Sequence, residues 1–152
     1  SPVSVRHRGL AGGLRLLAET INTDFRVKTT CEVDPGMKVG DLEREANLYR
    51  IAQEAVNNAL RHGNPRHIII SLKQLTASHA GLEVRDDGRG MKLNQNKGNG
   101  IGLRVMRYRS DLIGGELSIR STPRRGVRVT CCFPCAIMVK PEQKPPRRRS
   151  RK

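Results

Sequence analysis

The chain has 152 residues, room for one domain of ordinary size, and its 36% hydrophobic content supplies a modest core. With 29 Lys and Arg against 14 Asp and Glu, the formal charge of +15 points to phosphates, nucleic acid or acidic protein faces as partners. Aromatics at 3% and no Trp exclude base-stacking recognition of single strands, and no apolar run approaches the ~18 residues of a membrane span.

The first residue is Ser rather than Met, which reads as a processed chain or a piece of a longer one, and nothing resembles a signal peptide. Leu10, Leu14, Leu16, Leu17 and Ile21 fall near helical spacing and predict a short amphipathic helix over Gly9–Asn22. Arg26–Val33 alternates as a strand does, and Asp34-Pro35-Gly36 is a turn. Asp41 is a cap for a long helix running to His62, with Leu48, Ala52, Ala55, Val56 and Ala59 as its buried stripe and Gly63-Asn64-Pro65 as its stop.

Two strands, His67–Leu72 and Gly81–Asp86, follow. Asp87 to Gly100 has no hydrophobic period and reads as a long loop that orders on binding. A helix from Ile101 to about Leu112 precedes strands Glu116–Ser121 and Val127–Phe133, joined by a turn at 122–126. The order α, β, α, β, β, loop, α, β, β predicts an α+β two-layer sandwich, a mostly antiparallel mixed sheet with helices on one face.

Cys131, Cys132 and Cys135, with Cys31 distant, read as small buried hydrophobes of a reducing compartment rather than a zinc site, since neighbours on a strand point to opposite faces. Residues 140–152 hold seven Lys or Arg and one Glu, so the end of the chain carries +6 and the rest +9 (22 basic against 13 acidic). This divides the chain into a folded domain, 1–138, and a basic disordered tail, 139–152, open to anionic partners.

Three clusters carry chemistry. At ~100° per residue, Glu54, Asn58 and Arg61 lie within about 60° of one another on the long helix. A carboxylate, an amide oxygen and a guanidinium on one face suit a metal-chelated polyphosphate, although a lone E-x-x-x-N is usually a solvated surface. Asp86-Asp87-Gly88-Arg89-Gly90-Met91 leaves a strand through glycines that let the backbone approach a flat ligand, and its Asp can accept from an exocyclic amine; alone it is a hairpin turn. Gly98-Asn99-Gly100-Ile101-Gly102-Leu103 opens a helix whose free N–H groups form a phosphate site. Its position late in the chain, after a loop, argues against a dinucleotide fold. In this order the three describe a nucleotide site.

These residues resemble a known superfamily. RIAQEAVNNALRH at Arg50–His62, VRDDGRGM at Val84–Met91 and GNGIGL at Gly98–Leu103 look like the N, G1 and G2 boxes of the GHKL ATPases. Within that superfamily the pattern is most similar to the catalytic ATP-binding domain of two-component sensor histidine kinases, including helix, Gly-Gly turn and two strands at Arg104–Pro134. The resemblance implies a Bergerat-type α/β sandwich with a flexible ATP lid, and ATP and Mg²⁺ as ligands. It implies that Asn58 binds Mg²⁺ and that Glu54 acts as the catalytic carboxylate on water or the metal shell. Arg61 and His62 would contact phosphates; Asp86 would read the adenine amine in a pocket shaped by Gly88, Gly90 and Met91. Lys97, Gly98, Gly100, Ile101, Gly102 and Leu103 would frame the lid, with Lys92 also near phosphates.

The resemblance further implies partners: a dimerisation domain bearing the acceptor histidine, a response regulator, and a homodimer only with that dimerisation domain. None of His7, His62, His67 and His79 sits in a helical hairpin suited to be the acceptor. A cytoplasmic location is expected, with a parent protein that could be membrane-anchored. Two alternatives stand beside this reading: a standalone GHKL serine kinase of the anti-sigma type, and a nucleotide-gated binding module without phosphoryl transfer. Where the family often has Gly-Thr in the last strand pair, its Thr supporting the adenine site through water, this chain has Gly126-Val127, so the resemblance does not carry that polar contact over.

Overall fold

In a computed structural model, which describes residues 2–91 and 100–137, the elements follow the predicted order. They are α1 (Pro2–Asp24), β1 (Lys28–Val33), α2 (Leu42–Asn58), a π turn (Ala59–Gly63), β2 (His67–Gln74), β3 (His79–Asp86), α3 (Gly100–Leu112), β4 (Glu116–Thr122) and β5 (Gly126–Pro134). The expected loop residues 92–99 and the tail after 137 lie outside the described residues.

The five strands form one sheet in the order β1-β2-β3-β5-β4, with β1 parallel to β2 and every other pair antiparallel. Period-two alternation gives the sheet a wet and a dry face. Ile68, Ile70, Leu72, Leu82, Val84, Val129, Cys131 and Phe133 point into the core, and the residues between them point out. The three helices cover the dry face, with α2 in the middle against α1, α3 and β3. Among the described residues no helix is long and apolar enough to cross a membrane.

Helix α2 starts where the cap was read. Asp41 is extended, and its Oδ1 accepts from the Arg44 N–H at 2.9 Å, satisfying one of the orphan donors of the first turn. The stripe of Leu48, Ala52, Ala55, Val56 and Ala59 is buried as predicted, and small alanines let the helix lie close to the sheet.

Two local features differ from the expectation. Helical structure begins at Pro2 rather than Gly9; Gly9, at φ 71° and ψ 174°, interrupts it, so a short helical segment carrying an exposed His7 precedes the amphipathic one. In addition, the α-helix stops at Asn58, and the last turn before Asn64 (φ 48°) is π. Cys131 and Cys132 do face opposite ways: Cys131 is buried against Ser110 Oγ at 3.4 Å, and burial pushes its thiol pKa up.

Candidate functional site

The helix layer and the sheet part at one end, and the first and second clusters meet there. The Gly63 carbonyl, closing the π turn, accepts from the Arg89 N–H at 2.9 Å. Gly88 lies so close beneath it that a Cβ would stand 2.5 Å from the Gly63 oxygen and 2.8 Å from Asp86 Oδ1. Glycine at 88 is therefore a packing requirement: any side chain would push the end of α2 away from the Asp86 turn. Gly90, at φ 80°, faces the Ser121 hydroxyl, which accepts from the Met91 N–H at 2.8 Å.

The resulting pocket lies between Ala55, Asn58, Ala59, His62 and Gly63 on one side and Val84, Asp86, Ile119, Val127 and Val129 on the other. Gly90, Met91 and Leu103 close its rim. Apart from Asn58 and His62 toward the mouth, its one charged group is Asp86, which suits a flat apolar ligand read by a single acceptor. The free space is about 10 Å³, close to what one water needs.

Asp86 is 5% exposed, and its Oδ1 accepts from the Gly88 N–H at 2.8 Å. Burial raises its carboxyl pKa above the usual value, against the pull of the Gly88 and Val127 N–H groups, and the neighbouring Asp87 raises it further.

Asp87 has another task. Its Oδ1 accepts from the Arg66 and His67 N–H groups at 2.8 and 2.9 Å, and Oδ2 meets His67 Nδ1 at 2.7 Å. Partial burial raises its pKa, but the His67 backbone, the His67 ring and Arg66 N–H outweigh this and hold it below the usual value. A depressed carboxyl contributes stability above the unfolded-state pKa and loses it as pH falls through the folded one. Asp87→Asn is accordingly expected to cost about 1 kcal/mol at pH 7 after solvent screening, a fall of a few degrees in Tm. The deficit should shrink below the ordinary carboxylate range, with nucleotide affinity unchanged; thermal melts across pH check it.

The first and third clusters meet where α3 starts against α2. Gly102, in the first turn of α3, sits where a Cβ would be 3.0 Å from Glu54 Oε2 and 3.4 Å from Asn58 Oδ1. A carboxylate oxygen and an amide oxygen thus converge on the N-terminal turn of α3, the end of a helix whose dipole favours an anion. Both are hard oxygen donors of the type Mg²⁺ accepts, and that ion usually takes one or two protein ligands with phosphate and water completing its shell.

The remaining sequence-derived residues fall in different places. Leu103 is buried at the pocket rim, His62 is exposed at its mouth, and Gly100 opens α3 at φ 76°. Arg61 is exposed on the π turn after α2 and, like Glu54, does not line the pocket. Ile101 points to solvent at 81% exposure. Lys92, Lys97 and Gly98 lie outside the described residues.

The spacing argument missed Gly63 and Gly126 and the apolar lining from β4 and β5. Gly63 reads as a helix stop and Gly126 as a turn residue, and Ile119 and Val129 carry no signal that separates a pocket floor from ordinary core; only the resemblance put Gly126-Val127 beside the adenine site. Gly126, at φ 89°, is packed so tightly on Asp86 that a Cβ would overlap the Asp86 carbonyl oxygen and lie 2.8 Å from Oδ1.

The model of the histidine kinase-, DNA gyrase B- and HSP90-like ATPases matches residues 43–137, which takes in α2, both glycine clusters and the sheet from β2 onward. The chain belongs to this ATPase family. Two similar relatives are sensor histidine kinases. Sensor histidine kinase LiaS of Bacillus subtilis is 30% identical over 145 residues, 94% of this chain and 38% of LiaS. Oxygen sensor histidine kinase NreB of Staphylococcus carnosus is 31% identical over 134 residues, 88% of this chain and 38% of NreB. The chain thus spans well under half the length of either relative. The ATP-binding domain of PrrB from Mycobacterium tuberculosis superposes with a TM-score of 0.67 at 19% identity, over 84% of this chain and 95% of that domain, and so shares the fold. The chain thus carries the ATPase domain that this family shares with histidine kinases.

Proposed function

We propose that this domain presents Mg-ATP to a histidine on a helical dimerisation segment of the same kinase, and that the phosphoryl group then passes to an aspartate of a response regulator. The observation that carries the reading is the division of the site: a buried Asp86 at the closed end, and Glu54, Asn58 and the α3 N-terminus at the other. Adenine fits the first and the polyphosphate the second.

In this reading Asp86 accepts from the adenine amine while Met91 and Leu103 cover the ring. The α3 N–H groups and the mouth-lining His62 hold phosphate oxygens. Asn58, with Glu54 beside it, holds Mg²⁺, which when bound neutralises phosphate charge. Glu54 also takes the proton of the attacking imidazole as the N–P bond forms and the bond to the β-phosphate oxygen breaks, releasing ADP. Catalysis is then mainly positioning and charge neutralisation. The outward face of α3 exposes Ile101, Tyr108 and Leu112 at i, i+7 and i+11, an apolar stripe of the kind a helical partner covers, and we assign it to the dimerisation segment.

Two measurements test this. The purified chain, mixed with the separately expressed histidine-bearing segment and γ-labelled ATP, should transfer acid-labile, base-stable label; label that is acid-stable would favour a serine kinase. Asn58→Ala should leave adenosine affinity unchanged and remove the Mg²⁺ dependence of ATP-analogue binding in calorimetric titration. A variant that keeps the dependence excludes Asn58 as the ligand.

A further inference from the structure

The wet face of the sheet carries a row of arginines. Arg85 on β3 is the direct cross-strand partner of Arg128 on β5, and Arg128 is in turn the partner of Arg120 on β4. All three are exposed, and Arg125 of the β4–β5 turn joins them around a shallow hollow of about 320 Å³.

Like charges directly opposite on adjacent strands repel and cost stability, so three in line need a counter-charge. The chain supplies little. Arg128 Nε reaches Glu83 Oε2 only at 3.9 Å, and among the described residues the side chains of Arg85, Arg120 and Arg125 have no ion-pair or hydrogen-bond partner. Among the described residues no carboxylate lines the hollow. We propose that this row is a binding site for a compact anion with two or three adjacent phosphate groups, separate from the nucleotide pocket on the other face of the sheet.

The chemistry and dimensions select that ligand. The basic groups of the hollow are all arginines, whose planar forks bind phosphate oxygens in pairs. Three strands at ~4.8 Å spacing set a row about 10 Å long, the span of two or three linked phosphates. The neighbouring row of the same face holds Ser71, Glu83, Thr130 and Ser118, and beyond Arg85 on the other side the Asp87 carboxylate is taken up by Arg66 and His67; none of these is an aromatic that could stack on a base, so a nucleic-acid strand would be gripped by its phosphates alone. A rigid sheet holds the guanidinium stems in place before the ligand arrives, which lowers the entropic cost of binding.

Inorganic tripolyphosphate is the probe, titrated calorimetrically into the whole chain. Arg85→Gln/Arg120→Gln should weaken its binding at least tenfold and leave the affinity for a non-hydrolysable ATP analogue unchanged. Its melting temperature should hold or rise, because repulsion is relieved. Arg6→Gln/Arg15→Gln, which removes the same charge from the exposed side of α1, should change tripolyphosphate affinity less than twofold. Flotation with phosphatidylcholine vesicles, with or without a bisphosphorylated inositol lipid, separates the sources: binding that needs that lipid and both arginines assigns a headgroup, and binding of the free probe alone assigns a soluble anion. Equal tripolyphosphate binding by the wild type and the Arg85/Arg120 variant, equal losses in both double variants, or no binding at all would overturn the proposal. So would arginine-dependent binding of a polyglutamate peptide without tripolyphosphate binding, which would point instead to an acidic protein.

Discussion

Asp86→Asn is expected to weaken ATP-analogue binding roughly a hundredfold while the domain stays folded. Both hydrogen-bond partners of this carboxylate are donors. The Gly88 N–H occupies Oδ1 at 2.8 Å and the Val127 N–H also supports the charge; the adenine amine would be a third. An Asn side chain brings one acceptor and one donor. If its oxygen faces Gly88, its NH₂ faces another NH₂, and a buried donor pair without acceptors costs about 3 kcal/mol, hence the hundredfold. The fold should tolerate the change. Burial holds the Asp86 pKa above its unfolded value, so this group's ionisation opposes folding as pH rises between the two values. A neutral amide removes that opposition. Titration calorimetry beside a thermal melt checks both halves, and unchanged affinity in a folded variant would remove Asp86 from the adenine role.

The distinction between Asp86 and Asp87 shows how far the chain could be read without coordinates. A DDG turn after a strand places one carboxylate on each face of the sheet, and the alternation Leu82, Val84, Asp86 puts the first of them inward. That parity was legible. What Asp87 does was not, because its partners, the Arg66 and His67 N–H groups, come from another strand about twenty residues away. The same holds for α2. Asp41 and the alanine stripe gave its start and buried face, since both are local periodic signals. Its π ending is held by Gly63 against Arg89, a contact between segments that no window along the sequence contains.

Other misses have the same cause. The helical turns before Gly9 have no apolar period of their own, and glycine reads as a boundary rather than an interruption. The pocket floor of Ile119, Val127 and Val129 is built from β-branched strand residues, identical in pattern to core. By contrast the three chemical clusters were legible as a set, because ligand chemistry restricts residue type as well as spacing. Arg61 marks the limit of that logic: helical arithmetic places it on one face with Glu54 and Asn58, but it lies in a π turn, where α-helical spacing no longer applies.

Gly126→Ala should damage fold and site together, which separates it from the Asp86 substitution. Gly126 begins β5 at φ 89°, a conformation that strains any L side chain, and a Cβ there would overlap the Asp86 carbonyl and press on its Oδ1. The obstacle is backbone, so no rotamer relieves it; β5 must move off β3 at the pocket floor. A loss of about 3–5 kcal/mol is expected, lowering Tm by roughly 10 °C in a domain of this size. Binding should fall even below the new melting point, because moving β5 displaces the Val127 N–H that supports Asp86 and widens the slot between Val84 and Val127. Gly114→Ala gives the comparison: this glycine has φ 66° but open space around its Cβ position, so it should carry the conformational cost alone, about 1 kcal/mol, with ATP-analogue affinity intact. Equal effects of the two substitutions on affinity would mean that the close packing of Gly126 on Asp86 does not shape the adenine pocket.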